Sequence, residues 1–254
     1  MQNLLSAEQA IAQYDEYLAS HPQDCSVWNA RGLALEKLKR YEKALASYDL
    51  ALALKPDIWE AWHNRGNSLQ ELNRHVEAIA SYDKAISLNP NLSTAWNNRG
   101  ISLRKLGLYQ AAVASYDKGL AIKPNDYEIW NNRGLTLADV GRYQDAIASY
   151  DKALTIKPDH YEIWTNRGNS LAHVGRYESA IASYDEALIL SADMPAIFYN
   201  KACSYSKLGN FDLAIHCLKA AIALNPDKYC KMANQDSDFD NIRGNALFMA
   251  LFRD

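Results

Sequence analysis

The sequence Ala46-Ser47-Tyr48-Asp49 decides the fold, because the same four residues return at a constant interval. Each later copy begins 34 residues after the previous one, at Ala80, Ala114, Ala148 and Ala182. A period of this length indicates stacked supersecondary units that bury a continuous core between neighbours. We number the positions within each unit from 1 to 34. The six units are 25–58, 59–92, 93–126, 127–160, 161–194 and 195–228.

The first half of each unit predicts an α-helix. Position 4 is aromatic, position 8 is glycine or alanine, and position 11 is leucine or tyrosine. Steps of four and three residues put these positions on one helical face. Glycine stands at position 8 in five units: Gly32, Gly66, Gly100, Gly134 and Gly168. Because a glycine inside a helix costs about 1 kcal/mol, its return predicts that a second helix approaches closely there.

The second half of each unit predicts that second helix. Position 20 is alanine in all six units, and position 24 is tyrosine in five. Position 15, between the two halves, is Lys39, Asn73 or glycine. Glycine and asparagine suit the left-handed residue that ends a helix, and lysine is the least favourable of the three. Proline follows the second half in five units and stops the helix. The chain is therefore predicted to be all-α and built from antiparallel helix pairs.

These residues resemble the tetratricopeptide repeat family, whose consensus combines an aromatic residue, a Leu-Gly pair, Tyr, Ala, Phe, Ala and Pro. The resemblance covers 25–228, about four-fifths of the chain, and departs at position 7, where Arg or Lys replaces the usual leucine. It implies a right-handed superhelical solenoid with a concave groove lined by the first helices. It also implies a protein–protein interaction scaffold.

The two ends depart from the repeat. Residues 1–24 match only the second helix of a unit, with Ala10 at position 20 and Tyr14 at position 24. Ser6 and Gln9 are expected to form a capping box at the start of this half-repeat. Its outer side also carries Leu4 and Leu5, so we expect weak homo-oligomerisation through this edge, or upstream repeats that cover it.

The C-terminal segment, 229–254, is expected to cap the last unit. Its residues 236–240 alternate acids like the start of a calcium loop. The sixth residue is Asn241 where glycine is needed, and the twelfth is Leu247 where glutamate is needed, so no metal is expected.

Composition and residue spacing argue against several classes of function. A formal charge of −3 and a pI near 6.1 argue against nucleic acid as a partner. No apolar run is long enough for membrane insertion, and the start makes a poor signal peptide. The four cysteines lack the spacing of a metal site and are expected to be free thiols in the cytoplasm. The histidines are scattered and there is no phosphate-binding loop, so we expect no enzyme and no cofactor.

The basic residues at position 7 predict an ion-pair ladder. Position 25 is aspartate in the half-repeat and in the first five units. Pairing each basic residue with the aspartate of the preceding unit gives six pairs of opposite charge, whereas pairing within a unit sets Lys201 against Lys219. The ladder is therefore preferred to a peptide-binding role for these side chains.

The candidate binding site is a line of amides on the first helices. Position 6 is asparagine in five units: Asn64, Asn98, Asn132, Asn166 and Asn200. Asparagine is a poor helix-interior residue, and its amide complements a peptide group. The line is similar to the asparagine ladder in the repeat domain of O-linked N-acetylglucosamine transferase. Hydrogen bonding at helix ends or between helices is the alternative explanation. Further predicted contacts are Asn67, Asn97, Asn131, Asn169, Arg104 and Tyr199.

We therefore predict a scaffold that binds an extended peptide segment of a protein partner in its groove. The alternative is a regulatory or targeting domain of a larger enzyme or assembly factor.

Overall fold

The computed structural model describes residues 2–252, with side chains from residue 6 onward. Within that range the chain is helical and has no strand. Its helices are α1 (Gln2–Ser20), α2 (Cys25–Lys37), α3 (Tyr41–Leu54), α4 (Trp59–Glu71), α5 (His75–Leu88), α6 (Ser93–Lys105), α7 (Tyr109–Ile122), α8 (Tyr127–Asp139), α9 (Tyr143–Ile156), α10 (Tyr161–His173), α11 (Tyr177–Leu190), α12 (Pro195–Lys207), α13 (Phe211–Leu224), α14 (Pro226–Gln235), the 3-10 helix η1 (Ser237–Ile242) and α15 (Ala246–Ala250).

Each repeat forms one helix pair joined by a tight turn. In the first pair, Lys39 adopts the left-handed conformation with φ of 56°, and Arg40 N–H donates to the Leu35 carbonyl over 2.9 Å. Position 15 has positive φ in all six repeats, with Lys39 and Asn73 the two non-glycine cases among the described residues. The left-handed helix end predicted at this position is confirmed.

The helices form two compact units, Met1–Asn125 and Asp126–Asp254. We refer to them as the N-terminal unit and the C-terminal unit, and from here on we call the 34-residue units repeats. In each of them, successive first helices of the repeats contact one another more extensively than successive second helices do. The first helices therefore line the inner side of each unit, and we name this surface the first-helix face. It consists of α2, α4 and α6 in one unit and of α8, α10 and α12 in the other.

The close approach predicted at the position-8 glycines is confirmed, and the group that approaches is a tyrosine ring. A β-carbon added to Gly66 would lie 2.5 Å from Cε1 of Tyr82, which is too close for any real contact. The same pairing recurs at the other four position-8 glycines, at 2.4 to 2.6 Å. The tyrosines are fully buried, so the glycine and the tyrosine specify one another across the helix pair.

The C-terminal segment covers the last helix pair. Tyr229 of α14, Phe239 of η1 and Phe248 of α15 are buried in one cluster with residues of α12 and α13. Asp236 accepts hydrogen bonds from Tyr199 and from the Asp238 N–H, so the acidic stretch serves to hold η1 in place.

At the other end, the expected capping box is wrong. Helix α1 begins at Gln2, so Ser6 lies inside the helix and cannot serve as its cap. The side chains of Leu4 and Leu5 fall outside the described residues. Among helices in the described part of the chain, none has the length and apolar character that a membrane crossing requires.

Candidate peptide-binding face

The basic side chain at position 7 joins neighbouring repeats. Arg65 donates from Nε to Asp49 of the preceding repeat over 2.7 Å. Its Nη1 donates to Ser81 of its own repeat, also over 2.7 Å. The guanidinium lies 5.8 Å from the centroid of the Trp62 ring, within cation–π range. The arginine is therefore held by three groups at once.

This arrangement recurs along the chain. Five of the six expected ion pairs have both members in the N-terminal unit or both in the C-terminal unit, and all five form: Arg31–Asp15, Arg65–Asp49, Arg99–Asp83, Arg167–Asp151 and Lys201–Asp185. The ladder explains the block that defines the repeat. Its tyrosine is buried, its aspartate pairs with the next repeat, and its serine accepts a hydrogen bond from the arginine, whereas its alanine is exposed.

The asparagines of the N-terminal unit form a hydrogen-bonded network. Asn98 donates from Nδ2 to Oδ1 of Asn67 in the preceding repeat over 3.0 Å. The Tyr82 hydroxyl lies 3.0 Å from the same oxygen and 2.8 Å from Oε1 of Gln70. Asn97 donates in turn to Oδ1 of Asn98 over 3.3 Å. Hydrogen bonding between first helices, the alternative explanation of the asparagine line, is therefore present in this unit.

The C-terminal unit contains an equivalent network. Asn200 donates from Nδ2 to Oδ1 of Asn169 over 2.9 Å, and the Tyr184 hydroxyl donates to the same oxygen over 2.9 Å. Because that carbonyl accepts both bonds, the orientation of the Asn169 amide is fixed. Its N–H groups are then the part of the amide that can serve a ligand.

The remaining predicted site residues lie on the same helices. They are half-buried: Asn64, Asn131, Asn132, Asn166 and Arg104. Asn64 donates to Asn29 over 3.3 Å. The Oδ1 atom of Asn131 is buried and accepts no hydrogen bond from the described residues, so it is an acceptor without a protein donor.

A cleft of about 600 Å³ opens on the first-helix face of the C-terminal unit. Asn169 and Asn200 line it together with groups from α10, α11, α12 and the C-terminal segment. The other polar lining residues are His173, Tyr177, Tyr184, Tyr199, Cys203, Ser204, Lys207, Asp236 and Asp238. The cleft thus combines two oriented amides with aromatic rings and charges of both signs.

The charges of the cleft are partly paired. Lys207 lies 2.8 Å from Asp238, while Asp236 accepts the hydroxyl of Tyr199 over 2.7 Å. Burial, followed by the two neighbouring carboxylates, raises the pKa of the Cys203 thiol above its usual range. The thiol therefore stays protonated at neutral pH, which does not suit a nucleophile.

Tyr199, one of the predicted contacts, is packed against the C-terminal segment. Its side chain is 4% exposed, because Tyr229 and Phe239 of the C-terminal segment pack against the ring. Its hydroxyl is bound to Asp236. Tyr199 therefore lines the cleft and also holds the C-terminal segment in place.

Sequence reasoning missed most of the cleft. Asp236 and Asp238 follow the last repeat, where no periodicity places them in space, and the sequence pattern alone suggested only a failed calcium loop. His173 and Lys207 both stand at position 13, a position whose residue type varies along the chain. The serine at position 23 is present in every copy of the repeated block. Its role as an acceptor for the position-7 arginine becomes clear only from the positions of the two side chains in the structure.

Comparison with protein families identifies the repeat. A family model described as tetratricopeptide repeat matches residues 6–57 and 131–195. A second model with the same description matches 59–92, 93–126 and 195–228, so that together they span most of the chain. No curated protein matches the chain.

Solved structures share the fold at low sequence identity. YrrB, described as a TPR protein with an unusual peptide-binding site, is 22% identical with a TM-score of 0.66, over 74% of this chain and 98% of that chain. MamA from Desulfovibrio magneticus RS-1 is 18% identical with a TM-score of 0.64, over 67% and 96%. The Cut9–Hcn1 structure of APC/C is 20% identical with a TM-score of 0.65, over 97% of this chain and 46% of that chain. These likenesses establish an all-α repeat fold of the same class.

Proposed function

The chain belongs to the tetratricopeptide repeat family, and from this premise we propose that it is a protein-interaction scaffold that holds an extended peptide segment of a partner on its first-helix face. The observation that carries the proposal is the cleft of the C-terminal unit, where the amides of Asn169 and Asn200 converge.

The chemistry of these amides suits a peptide backbone. The Asn169 carbonyl already accepts hydrogen bonds from Tyr184 and Asn200, so its N–H groups remain to donate to a carbonyl oxygen of the partner's backbone. An amide fixed before the ligand arrives loses little side-chain entropy on binding. Contacts to backbone groups do not depend on the partner's side chains, so the amides supply affinity and the rest of the cleft supplies selectivity.

Selectivity is assigned to the charged rim and the aromatic rings. Lys207, Asp236 and Asp238 lie on one side of the cleft, and His173 and Tyr177 lie on the α10–α11 side. His173 stacks on Tyr143 with ring centroids 4.4 Å apart, which holds it in one orientation. We propose a binding role without catalysis, because a buried, protonated thiol and paired carboxylates give no activated nucleophile or base.

We also propose a cytoplasmic location, since the four cysteines are free thiols and such thiols persist in a reducing compartment. Proteins are the proposed partners and nucleic acids are not, because the net charge of −3 offers no electrostatic attraction to phosphates.

Selection from a random peptide library displayed on phage tests the proposal. The full chain is the bait, and selected peptides are mapped by chemical-shift changes in the labelled protein. We expect extended peptides that shift the amide resonances of Asn169 and Asn200. Asn234, an exposed residue of α14 outside the cleft, supplies the reference resonance. Peptides that bind tightly but perturb only residues elsewhere would contradict the proposed site.

A further inference from the structure

Glu36 is a half-buried carboxyl that joins two first helices of the N-terminal unit. It lies in the last turn of α2, and Ser68 of α4 donates a hydrogen bond to its Oε1 atom over 2.5 Å. Tyr48 of α3 is fully buried, and its hydroxyl lies near the same carboxyl without forming a hydrogen bond with any described residue. The carboxyl therefore stands on the first-helix face with one hydroxyl bound to it and a second one unpaired.

The charge of Glu36 has no counterion in the described part of the chain. The carboxyl forms no ion pair there, and no basic group lowers its pKa. Glu71 of α4 is an exposed carboxylate that accepts a hydrogen bond from Tyr41 over 3.3 Å. Burial, and then the charge of Glu71, raise the pKa of the Glu36 carboxyl. Two neighbouring first helices thus place two acidic side chains near one another.

The surroundings of Glu36 are complete within two consecutive repeats. Glu36 stands at position 12 of the first repeat and turns toward the repeat that follows it. Ser206, at position 12 of the sixth repeat, likewise turns toward the segment that follows and donates to the Asp238 carbonyl over 2.6 Å. Lys37 lines a groove on the α1 side of α2. The groups that contact Glu36 therefore come from α3 and α4, and none of those described comes from α1.

The second repeat indicates that the fold does not need a charge at this position. Gln70 stands at position 12 there, and its Oε1 atom accepts the buried hydroxyl of Tyr82 over 2.8 Å. A neutral amide of the same size therefore satisfies the tyrosine without the unfavourable burial of a charge. Glu36 instead supplies a half-buried carboxyl, which is unfavourable until a cation pairs with it.

We infer that Glu36 and Glu71 form a recognition site for an arginine side chain of the partner peptide. The inference rests on the proposed function, because it assigns a residue type to the segment held on the first-helix face. A guanidinium carries five N–H donors in a planar fork that matches carboxylates, so one arginine can serve acceptors from two neighbouring helices. Pairing also keeps Glu36 ionised, which makes it a stronger acceptor for the hydroxyls of Ser68 and Tyr48.

A divalent cation fits these two carboxylates less well than a guanidinium does. Calcium and magnesium ions take about six or more oxygen ligands. Among the described residues, neither Glu36 nor Glu71 belongs to a group of three His, Cys, Asp or Glu side chains whose ligand atoms lie within 4.8 Å of one another. A guanidinium has no such requirement, because it needs only hydrogen-bond acceptors.

Nuclear magnetic resonance titration of the labelled full chain with a capped peptide, acetyl-Ser-Gly-Arg-Gly-Ser-amide, tests the inference. The backbone amide resonances of Glu36 and Ser68 report binding. We expect saturable shifts, with an affinity about tenfold or more above that of the same peptide carrying citrulline in place of arginine. Citrulline keeps the length and the planar end of the side chain but removes its charge.

Glu36→Gln is the matched variant, because Gln70 already occupies the same position in the second repeat. It should lower the affinity for the arginine peptide to that for the citrulline peptide. Glu16→Gln, which removes a charge at an exposed position of α1, should leave both affinities unchanged. An absence of binding, equal affinities of the two peptides for the parent, or an arginine preference that survives in Glu36→Gln overturns the inference. Phage-selected peptides that shift Asn169 and Asn200 would still support the scaffold function, so the two proposals can fail separately.

Discussion

Gly168 and Tyr184 pack so closely that a β-carbon on residue 168 would lie 2.5 Å from Cε1 of the tyrosine ring. Tyr184 is 1% exposed, so the ring has no room to withdraw. In the sixth repeat both residues differ: Ala202 stands in place of the glycine, and the smaller Leu218 stands in place of the tyrosine. The sizes of the two residues are thus coupled across the helix pair.

Replacing Gly168 by alanine is expected to destabilise the protein. Overpacking costs about 1–3 kcal/mol, which exceeds the gain of about 1 kcal/mol in helix propensity. Combining it with Tyr184→Leu, as in the sixth repeat, should cost less than the sum of the two single changes. Urea unfolding measures these differences. Gly244→Ala is the control, since a β-carbon there meets nothing within 4 Å and the residue does not require positive φ.

The ion-pair ladder predicts that removing the arginine of a pair costs more stability than removing the charge of its aspartate. Asp83→Asn removes one charge partner at a partly exposed pair and should cost about 0.5–1 kcal/mol. Arg99→Ala should cost more, because it also removes the 2.7 Å bond to Ser115 and the contact with Trp96. Exchanging the charges, as Asp83→Arg with Arg99→Asp, should restore only part of the loss. Complete recovery in a thermal-melting cycle would mean that the serine and the tryptophan contribute nothing.

The C-terminal cap is predicted to support both stability and binding. Phe239 is fully buried against Tyr199 and Phe248, so Phe239→Ala should cost about 3–5 kcal/mol. The change should also weaken peptide binding, since η1 positions Asp238 in the cleft. Leu247→Ala, at a residue 60% exposed, should change neither property. Guanidinium unfolding and peptide titration of the same samples separate the two effects.

Glu36 predicts a pH dependence with a defined sign. Burial raises the pKa of its carboxyl above the usual value of 4.5, although Ser68 donates a hydrogen bond to it. The folded state therefore holds this proton more tightly than the unfolded state, so stability falls as pH rises from 4.5 through the folded pKa. Glu36→Gln should be more stable than the parent at pH 7, with a difference that shrinks toward pH 4. A lower melting temperature for Glu36→Gln at pH 7 would contradict this account.

Much of the fold follows from the sequence because the period is short and nearly unbroken. The glycine at position 8 and the positive φ at position 15 are local demands of the backbone, and each leaves a residue type that repeats. The pairing of Arg99 with Asp83 followed from charge alone, since the alternative register set Lys201 against Lys219. Features of this kind depend on few residues and are visible in one chain.

The cleft could not be read in the same way. Its walls join two repeats to a segment that has no period, so no spacing in the sequence brings Asp236 next to Cys203. Tyr199 was predicted as a groove residue because its position in the repeat faces inward, yet the segment that buries it lies about 40 residues later. Non-periodic packing of this type depends on tertiary contacts that a single sequence does not encode locally.

The asparagine pair of the C-terminal unit carries the central claim. Asn169→Ala combined with Asn200→Ala removes the two amides that face the cleft and should weaken a selected peptide about 5-fold to 150-fold, at roughly 0.5–1.5 kcal/mol for each lost hydrogen bond. The same variant should lose about 1–3 kcal/mol of stability, because the buried Tyr184 hydroxyl loses its acceptor. Asn234→Ala, outside the cleft, is the control and should bind like the parent.

Isothermal titration calorimetry of the selected peptide against the folded double variant, well below its melting temperature, is the most direct test. The scaffold account predicts a loss of affinity in the double variant and none in Asn234→Ala. An unchanged Kd in the double variant, with chemical shifts showing that the peptide occupies the cleft, would contradict it.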